Sequence, residues 1–136
     1  MATLKIGDLS VGDWVGYNGK SYRTVIVDAL DQTATIFGND EQGDIHIDQL
    51  APIPITAEIL EKNGFEEDNN GHYALKIGGI VAVDIEYTRG IWELSILDVY
   101  ALQYAGKMQV TIAFVSSIHS LQHALRLAGV DKEINL

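Results

Sequence analysis

Residues Val110 to Val130 read VTIAFVSSIHSLQHALRLAGV, and this stretch decides the fold of the C-terminal half. Apolar residues at every second position predict a strand, and an amphipathic helix follows after two serines. We predict Ser117 as the helix N-cap, because its hydroxyl can accept a hydrogen bond from a free N–H of the first turn. Gly129 should end the helix in a left-handed conformation, with Val130 in contact with Leu125.

The predicted C-terminal helix has an apolar stripe and a polar side. At about 100° per residue, the stripe contains Ile118, Leu121, Leu125 and Ala128. His119 and His123 fall on the opposite side together with Arg126. We therefore expect both histidines to be solvated.

His119 and His123 are four residues apart, so both rings could reach one metal ion. HSLQH resembles the HExxH signature of zinc proteases, in which the glutamate is the general base. Here Ser120 replaces that glutamate, and serine is no base near neutral pH; Arg126 would also repel a cation. We predict no metal site. His119 and His123 stay as weak candidates for an adventitious metal site or for the relic of a metal-dependent hydrolase.

Three segments carry a resemblance to a group of known proteins. They are GDWV at Gly12–Val15, ITAEILEKNGF at Ile55–Phe65 and IHSLQHALRLAGVDKEINL at Ile118–Leu136. In these segments the chain resembles small proteins that are common in gut Bacteroidetes genomes and in their prophage-like elements. The resemblance implies a short β-rich N-terminal part followed by a helix, strands and a closing helix. It brings no known function and no catalytic residue.

The composition is that of a folded globular protein. The chain has 136 residues, of which 47% are hydrophobic and 21% charged, enough for one ordinary domain or two small ones. It has no cysteine, which excludes disulfides and thiol chemistry. No apolar run is long enough to cross a bilayer, and the opening MATLKIGDLSVGDW lacks the features of a secretory signal. We therefore predict a cytoplasmic protein without a membrane segment.

The charge of the chain bears on its partners. The formal net charge is -10, and each of the two parts divided after Pro54 carries -5. Binding to a phosphate backbone needs clustered Lys and Arg, because counterion release drives it. Nucleic acid is therefore a disfavoured partner, whereas a basic protein suits the acidic surface.

Residues 1–54 contain short runs of strand character separated by tight turns, which favours a small SH3-like β-barrel. Strands are predicted at 13–17, 20–30, 33–37, 44–47 and 51–55. Asn18 and Gly19 predict a type I′ hairpin turn, and Gly38–Gly43 predicts a polar loop. Period-two alternation places three residues of the second strand on one face: Tyr22, Thr24 and Ile26.

Trp14, Tyr17 and Tyr22 are the aromatic residues of this half that could line a binding groove. The simpler alternative is that Trp14 lies in the core and that the two tyrosines are partly exposed hairpin residues. Lys20 and Arg23 belong to the same hairpin and could add charge to a stacking surface for nucleic acid. Fold class alone does not choose between these ligands.

Residues 55–136 predict a helix, an antiparallel sheet and a second helix, with both helices on one face of the sheet. Thr56 should cap the first helix, Ala57–Asn63, and Gly64 should end it. The remaining predictions are strands near 73–77, 81–87, 92–96, 100–104 and 108–114, a solvated turn at 66–71, and a tail at 131–136 that returns along an edge. The predicted fold class is α+β, with domains 1–54 and 55–136 packed together.

One hairpin of the second half should bring carboxylates together. Matching its apolar faces predicts three cross-strand pairs: Tyr87 with Trp92, Ile85 with Leu94 and Val83 with Ile96. The opposite face then sets Glu86 against Glu93, with Asp84 nearby. Two close carboxylates could form an acid/base pair, as in glycoside hydrolysis. The simpler alternative is a solvated face, with the repulsion screened by water or compensated by Lys76.

The functional hypotheses follow from these features. The sequence has no glycine-rich phosphate loop, nucleophile elbow or CxxC motif, so we predict a non-enzyme without a cofactor. The first hypothesis is a protein-interaction accessory of a phage or mobile element that binds a protein partner or itself. Its candidate contact residues are Trp14, Tyr17, Tyr22, Asp84, Glu86 and Glu93. The alternatives are a nucleic-acid-associated accessory that acts through the SH3-like half, and a hydrolase relic at HSLQH.

Overall fold

A computed structural model describes residues 4–68, 71–77, 80–97 and 109–136. These residues form two antiparallel sheets and two α-helices, so the predicted α+β class is confirmed. Contacts divide the chain into two compact units. Unit 1 contains the residues up to Pro54 and Ser117–His119, and unit 2 contains Ile55–Ser116 and Ser120–Leu136. The division into two domains after Pro54 stays a prediction.

Unit 1 is built on one antiparallel sheet with the strand order β1-β2-β3-β4. The strands are β1 (Trp14–Tyr17), β2 (Lys20–Asp28), β3 (Thr33–Gly38) and β4 (Glu41–His46), with short 3₁₀-helices at Ile6–Asp8 and Ile47–Gln49. Asn18 and Gly19 have φ angles of 50° and 76°, as the predicted type I′ turn requires. Asn39 and Asp40 also have positive φ angles, of 52° and 61°, and they form the turn between β3 and β4. Because only these two residues form the turn, β4 begins directly after it, at Glu41. The predicted polar loop Gly38–Gly43 is therefore wrong.

The described residues of unit 1 do not close into a barrel, so the SH3-like barrel is not confirmed. The predicted fifth strand, 51–55, is replaced by two isolated antiparallel bridges, between Gly16 and Ala51 and between Pro54 and Ser117. The two prolines of this segment explain the difference, because a proline has no N–H to donate to a ladder. The sheet is therefore open between β4 and the segment bridged to β1.

A β-bulge changes which side of β2 faces the core. The register shifts between Thr24 and Ile26. Tyr22 and Thr24 share one face as predicted and are buried, but Ile26 is 58% exposed, and Val27 packs against the core instead. The prediction that Ile26 shares their face is wrong, because the extra residue of a bulge reverses the alternation of the strand.

Unit 2 contains a second antiparallel sheet with the order β5-β6-β7-β8-β9. Its elements are α1 (Ala57–Lys62), β5 (Glu66–Glu67), β6 (His72–Ile77), β7 (Ile80–Thr88), β8 (Ile91–Leu97), β9 (Gln109–Val115) and α2 (Ile118–Leu127). The first two residues of α2 are grouped with unit 1 by their contacts. The short β5 lies where a solvated turn was predicted. The predicted strand 100–104 lies outside the described residues. Neither described helix is long and apolar enough to span a membrane.

Both helices end in the predicted glycine cap. Gly64 and Gly129 have φ angles of 89° and 76°. After α1, the N–H of Phe65 donates to the carbonyl of Leu60 at 3.0 Å. After α2, the N–H of Val130 donates to the carbonyl of Leu125 at 2.9 Å. These are the bonds of a Schellman motif. At the other end of α1, Thr56 Oγ1 accepts from the N–H of Ile59, as predicted for the N-cap.

The C-terminal tail does not form the predicted edge strand. Residues 131–136 have no regular secondary structure, yet Ile134 is buried with 1% of its surface exposed. The buried side chain of Gln122 in α2 holds the backbone of this tail. Its Nε2 donates to Lys132 O at 2.8 Å, and its Oε1 accepts from Ile134 N at 2.7 Å. A buried side-chain amide therefore takes the place of the expected strand partner.

Candidate functional site

Four side chains form one row across the sheet of unit 2. The register pairs His72 in β6 with Glu86 in β7, Glu86 with Glu93 in β8, and Glu93 with Phe114 in β9. Directly paired residues project to the same face of a sheet. The predicted pair of Glu86 and Glu93 is therefore confirmed, and Asp84 lies on the same face because it is two residues before Glu86.

His72 connects two carboxylates of this face. Its Nδ1 lies 2.8 Å from Asp84 Oδ2, and its Nε2 lies 3.5 Å from Glu86 Oε1. Its backbone N–H donates to Asp68 Oδ1 at 3.1 Å. The hydrogen bond to Asp84 raises the pKa of His72, and the charges of Asp84, Glu86 and Asp68 add to this against the opposing effect of burial. His72 therefore holds its proton more strongly than a free histidine, and in its protonated form it offsets part of the local negative charge.

The sequence pointed to Lys76 as the compensating cation, and the structure assigns that role to His72. Lys76 Nζ lies 3.4 Å from Glu66 Oε2 in β5, the strand that was not predicted. His72 was missed because its partners lie across the sheet rather than along the chain. Extending the predicted hairpin register by one strand, to β6, would have placed it opposite Glu86.

Exposed apolar side chains flank the carboxylates. Phe114 is 67% exposed at the end of the row, and Ile91, two residues before Glu93 on the same face, is 47% exposed. We name this surface of unit 2 the acidic face, defined by His72, Asp84, Glu86, Ile91, Glu93 and Phe114.

The three aromatic candidates of unit 1 do not share one groove. Tyr22 pairs with Val15, whereas Trp14 pairs with Arg23, so Trp14 projects to the opposite face of the sheet. The guanidinium of Arg23 lies 4.4 Å from the centre of the half-buried Trp14 ring. Trp14 was expected in the core and Tyr22 at the surface. Tyr22 is the buried residue, with 3% exposed.

Tyr17 and Tyr22 do meet, at a cavity of about 110 Å³. Their ring centres are 6.2 Å apart in an edge contact. The hydroxyl of Tyr22 donates to Glu41 Oε2 at 2.8 Å. We name this cavity the tyrosine pocket; its lining includes Tyr17, Tyr22, Ile36, Glu41, Gly43 and Ile45. Glu41 was missed because it lies in the predicted loop. Asn39 and Asp40, which favour a tight turn, are the signal that could have placed Glu41 at the start of a strand.

Unit 2 also has an open groove of about 470 Å³ beside an aromatic cluster. The ring centre of Trp92 lies 5.8 Å from that of Tyr73 and 5.0 Å from that of Tyr87. Tyr73 and Trp92 are buried, and Tyr87 is 56% exposed. The sequence predicted the pairing of Tyr87 with Trp92 but not the groove.

One histidine of the pair in α2 does not have the predicted environment. His119 is buried, with 7% exposed, and its Nδ1 lies 3.0 Å from Ser117 Oγ. The prediction of a solvated side chain is wrong for His119, because the helix is covered on more sides than its apolar stripe. Throughout the part of the chain that the structure describes, no group of three or more His, Asp or Glu residues is arranged to hold a metal ion.

Comparison of the chain with protein-family models, with curated proteins and with solved structures finds no match. The resemblance to proteins of gut Bacteroidetes therefore stays a prediction. The acidic face and the tyrosine pocket are the two surfaces from which a function can be argued.

Proposed function

We propose that this chain is a non-enzymatic interaction protein that binds a basic partner protein through the acidic face. The row of His72, Glu86, Glu93 and Phe114 across the sheet is the observation that carries this proposal. The proposal also includes the coarser context predicted from the sequence. The chain acts in the cytoplasm, as an accessory of a phage or mobile element, and unit 1 is an open relative of an SH3-like barrel.

The electrostatics of the acidic face favour a cationic partner. Glu86 and Glu93 face each other directly, and like charges in this position cost stability. His72 offsets part of the charge from one side. A partner that brings Lys or Arg to this face would pair with its carboxylates, and complementary charges also raise the rate of encounter.

Phe114 supplies the apolar contact that charges alone do not. It is 67% exposed beside Glu93, and aromatic residues are enriched at the centre of protein interfaces. In such a contact the buried ring anchors the partner, and the paired carboxylates orient it. Binding should weaken with salt, because exposed charges are screened.

The proposed function is tested by a pull-down with matched variants. The bait is the full chain, the lysate comes from the cells that make it and is treated with nuclease, and the captured proteins are identified by mass spectrometry. Glu93→Gln/Phe114→Ala removes one charge and one exposed apolar side chain from the acidic face. Leu30→Ala/Asp31→Asn removes the same two kinds of group from an exposed turn of unit 1, where Leu30 is 96% exposed.

The expected result is a basic protein that the wild type and the Leu30/Asp31 variant capture equally. The Glu93/Phe114 variant should bind it roughly thirtyfold more weakly, which is the effect of losing one interface hot spot of about 2 kcal/mol. Equal capture by both variants would remove the acidic face as the contact surface. Captured proteins that vanish with nuclease would favour the nucleic-acid alternative.

The nucleic-acid alternative has less support, because its residues are divided between two faces of β2. Arg23 contacts Trp14 on one face, whereas Tyr22 is buried on the other and bonded to Glu41. Tyr17 and Lys20 are directly paired and keep one ring and one cation on a common face, so the stacking surface left to this alternative is smaller than the one predicted.

A further inference from the structure

We infer that the tyrosine pocket of unit 1 binds the side-chain ammonium group of a lysine on a protein partner. The pocket shares no residue with the acidic face, and its test does not rest on the function proposed above. The inference stands on the size of the pocket, its aromatic walls, its carboxylate and the space beside Gly43.

The size of the pocket restricts it to one small group. Its volume is about 110 Å³, whereas pockets for cofactors and drug-sized molecules measure roughly 300–1,000 Å³. The end of a single side chain fits this space, and a nucleotide or a larger cofactor does not. The ligand is therefore a residue of a larger molecule.

The walls of the pocket favour a cation. Tyr17 and Tyr22 present aromatic rings, and Ile36 and Ile45 add apolar surface. An ammonium group is attracted to the electron-rich face of an aromatic ring. None of the residues that line the pocket is basic. A phosphate or carboxylate would therefore meet no cation there.

Glu41 supplies a fixed negative charge at the pocket. Its Oε2 accepts from the hydroxyl of Tyr22 at 2.8 Å, which holds the carboxylate in place. The hydrogen bond to Glu41, together with burial, raises the pKa of Tyr22, so the hydroxyl remains a donor near neutral pH. Among the described residues, Oε1 of Glu41 has no hydrogen-bond partner. This oxygen is suited to pair with an incoming ammonium group.

Gly43 contributes to the lining of the pocket. It pairs with the buried Ile36, so a side chain at this position would project to the face that holds the pocket. A Cβ built on Gly43 meets only Ile45 Cδ1, at 3.8 Å, which is ordinary contact. The strand can therefore accommodate a larger residue at position 43. The side chain of that residue would obstruct the pocket.

The test is an NMR titration of the full chain, labelled with ¹⁵N, with N-acetyl-lysine methylamide. We expect fast-exchange shifts that are concentrated at the amides of Tyr17, Gln42 and Gly43. The comparison ligand is the norleucine counterpart, which keeps the alkyl chain and lacks the charge. The norleucine compound should bind at least about tenfold more weakly, because it loses both the cation–π contact and the ion pair.

Three variants locate the site. Glu41→Gln keeps an acceptor for Tyr22 but removes the charge, and it should weaken lysine binding by roughly tenfold. Asp40→Asn removes a charge one position away, outside the lining of the pocket, and should leave binding unchanged. Gly43→Val should abolish binding by obstruction, and its ¹⁵N spectrum reports whether it folds.

Two results would overturn the inference. Equal binding of the lysine and norleucine compounds would show an apolar pocket without selectivity for a cation. Equal losses of lysine binding in Glu41→Gln and Asp40→Asn would show that the compound is attracted to the overall negative charge of the turn and not to Glu41 itself. The acidic face is intact in all of these variants, so its pull-down result is independent of both outcomes.

Discussion

The side-chain amide of Asn63, at the end of α1, holds the backbone of Asn135 by two hydrogen bonds. Nδ2 donates to Asn135 O, and Oδ1 accepts from Asn135 N, both at 2.8 Å. The same Nδ2 donates to Ile59 O within the helix at 2.8 Å. Asn63 is buried, so these bonds fix the C-terminal tail against the first helix of unit 2 without a strand ladder.

Replacement of Asn63 by alanine should destabilise the protein by about 1–3 kcal/mol, because the three hydrogen bonds of its buried side-chain amide are lost. Urea unfolding followed by circular dichroism measures the change. Asn135→Ala is the matched control, since the bonds to Asn63 use the backbone of Asn135 and not its side chain. Equal destabilisation by the two variants would show that the amide of Asn63 does not hold the tail.

His72 should make the stability of the protein depend on pH. Its pKa is raised above the ordinary 6.5 in the folded state, chiefly by Asp84. The protonated ring therefore contributes stability that is fully present below the unfolded pKa and is lost as the pH rises through the folded pKa. Unfolding measured at about pH 6 and about pH 8.5 should show this loss, and an NMR titration of the ring gives the pKa itself.

Asp84→Asn tests the cause of that shift. The hydrogen bond to a carboxylate raises the pKa of His72, so its removal should return the pKa toward the ordinary value and reduce the pH dependence. Asp31→Asn, in an exposed turn of unit 1, removes the same charge and should change neither. An unchanged titration of His72 in Asp84→Asn would contradict the assignment.

The glycine caps should be sensitive to a side chain. Gly129 has a φ of 76° and no atom near the position of a Cβ, so Gly129→Ala tests backbone strain alone. We expect a loss of about 1 kcal/mol, because alanine is disfavoured in the left-handed region. Gly7→Ala is the control, since it also has open space but no positive φ. A loss in both variants would mean that strain at the cap is not the cause.

Features set by neighbouring residues could be predicted from the sequence. The turn at Asn18 and Gly19 and the caps at Gly64 and Gly129 depend on local backbone conformation, and all were predicted. The register of Glu86 against Glu93 followed from period-two alternation across a tight turn. Each of these signals lies within one hairpin or one helix end.

Features set by distant residues could not be predicted. The bulge beside Ile26 depends on how β2 pairs with β3, and the role of Asn63 depends on a residue 72 positions away. The same holds for the sites. Glu93 was found from its own hairpin, whereas His72 was missed because it reaches the carboxylates from another strand.

The acidic face should be more stable with one carboxylate fewer. Glu93→Gln removes the repulsion between Glu93 and Glu86, and relief of an opposed like-charge pair is worth roughly 0.2–1 kcal/mol. Urea unfolding at low salt should therefore show a small gain, and the gain should shrink at high salt because exposed charges are screened. Asp31→Asn, which also changes the net charge by one, is the control and should show no such gain. Lower stability of Glu93→Gln at low salt would mean that the charge of Glu93 stabilises the folded sheet, and the case for a surface kept acidic for a partner would be lost.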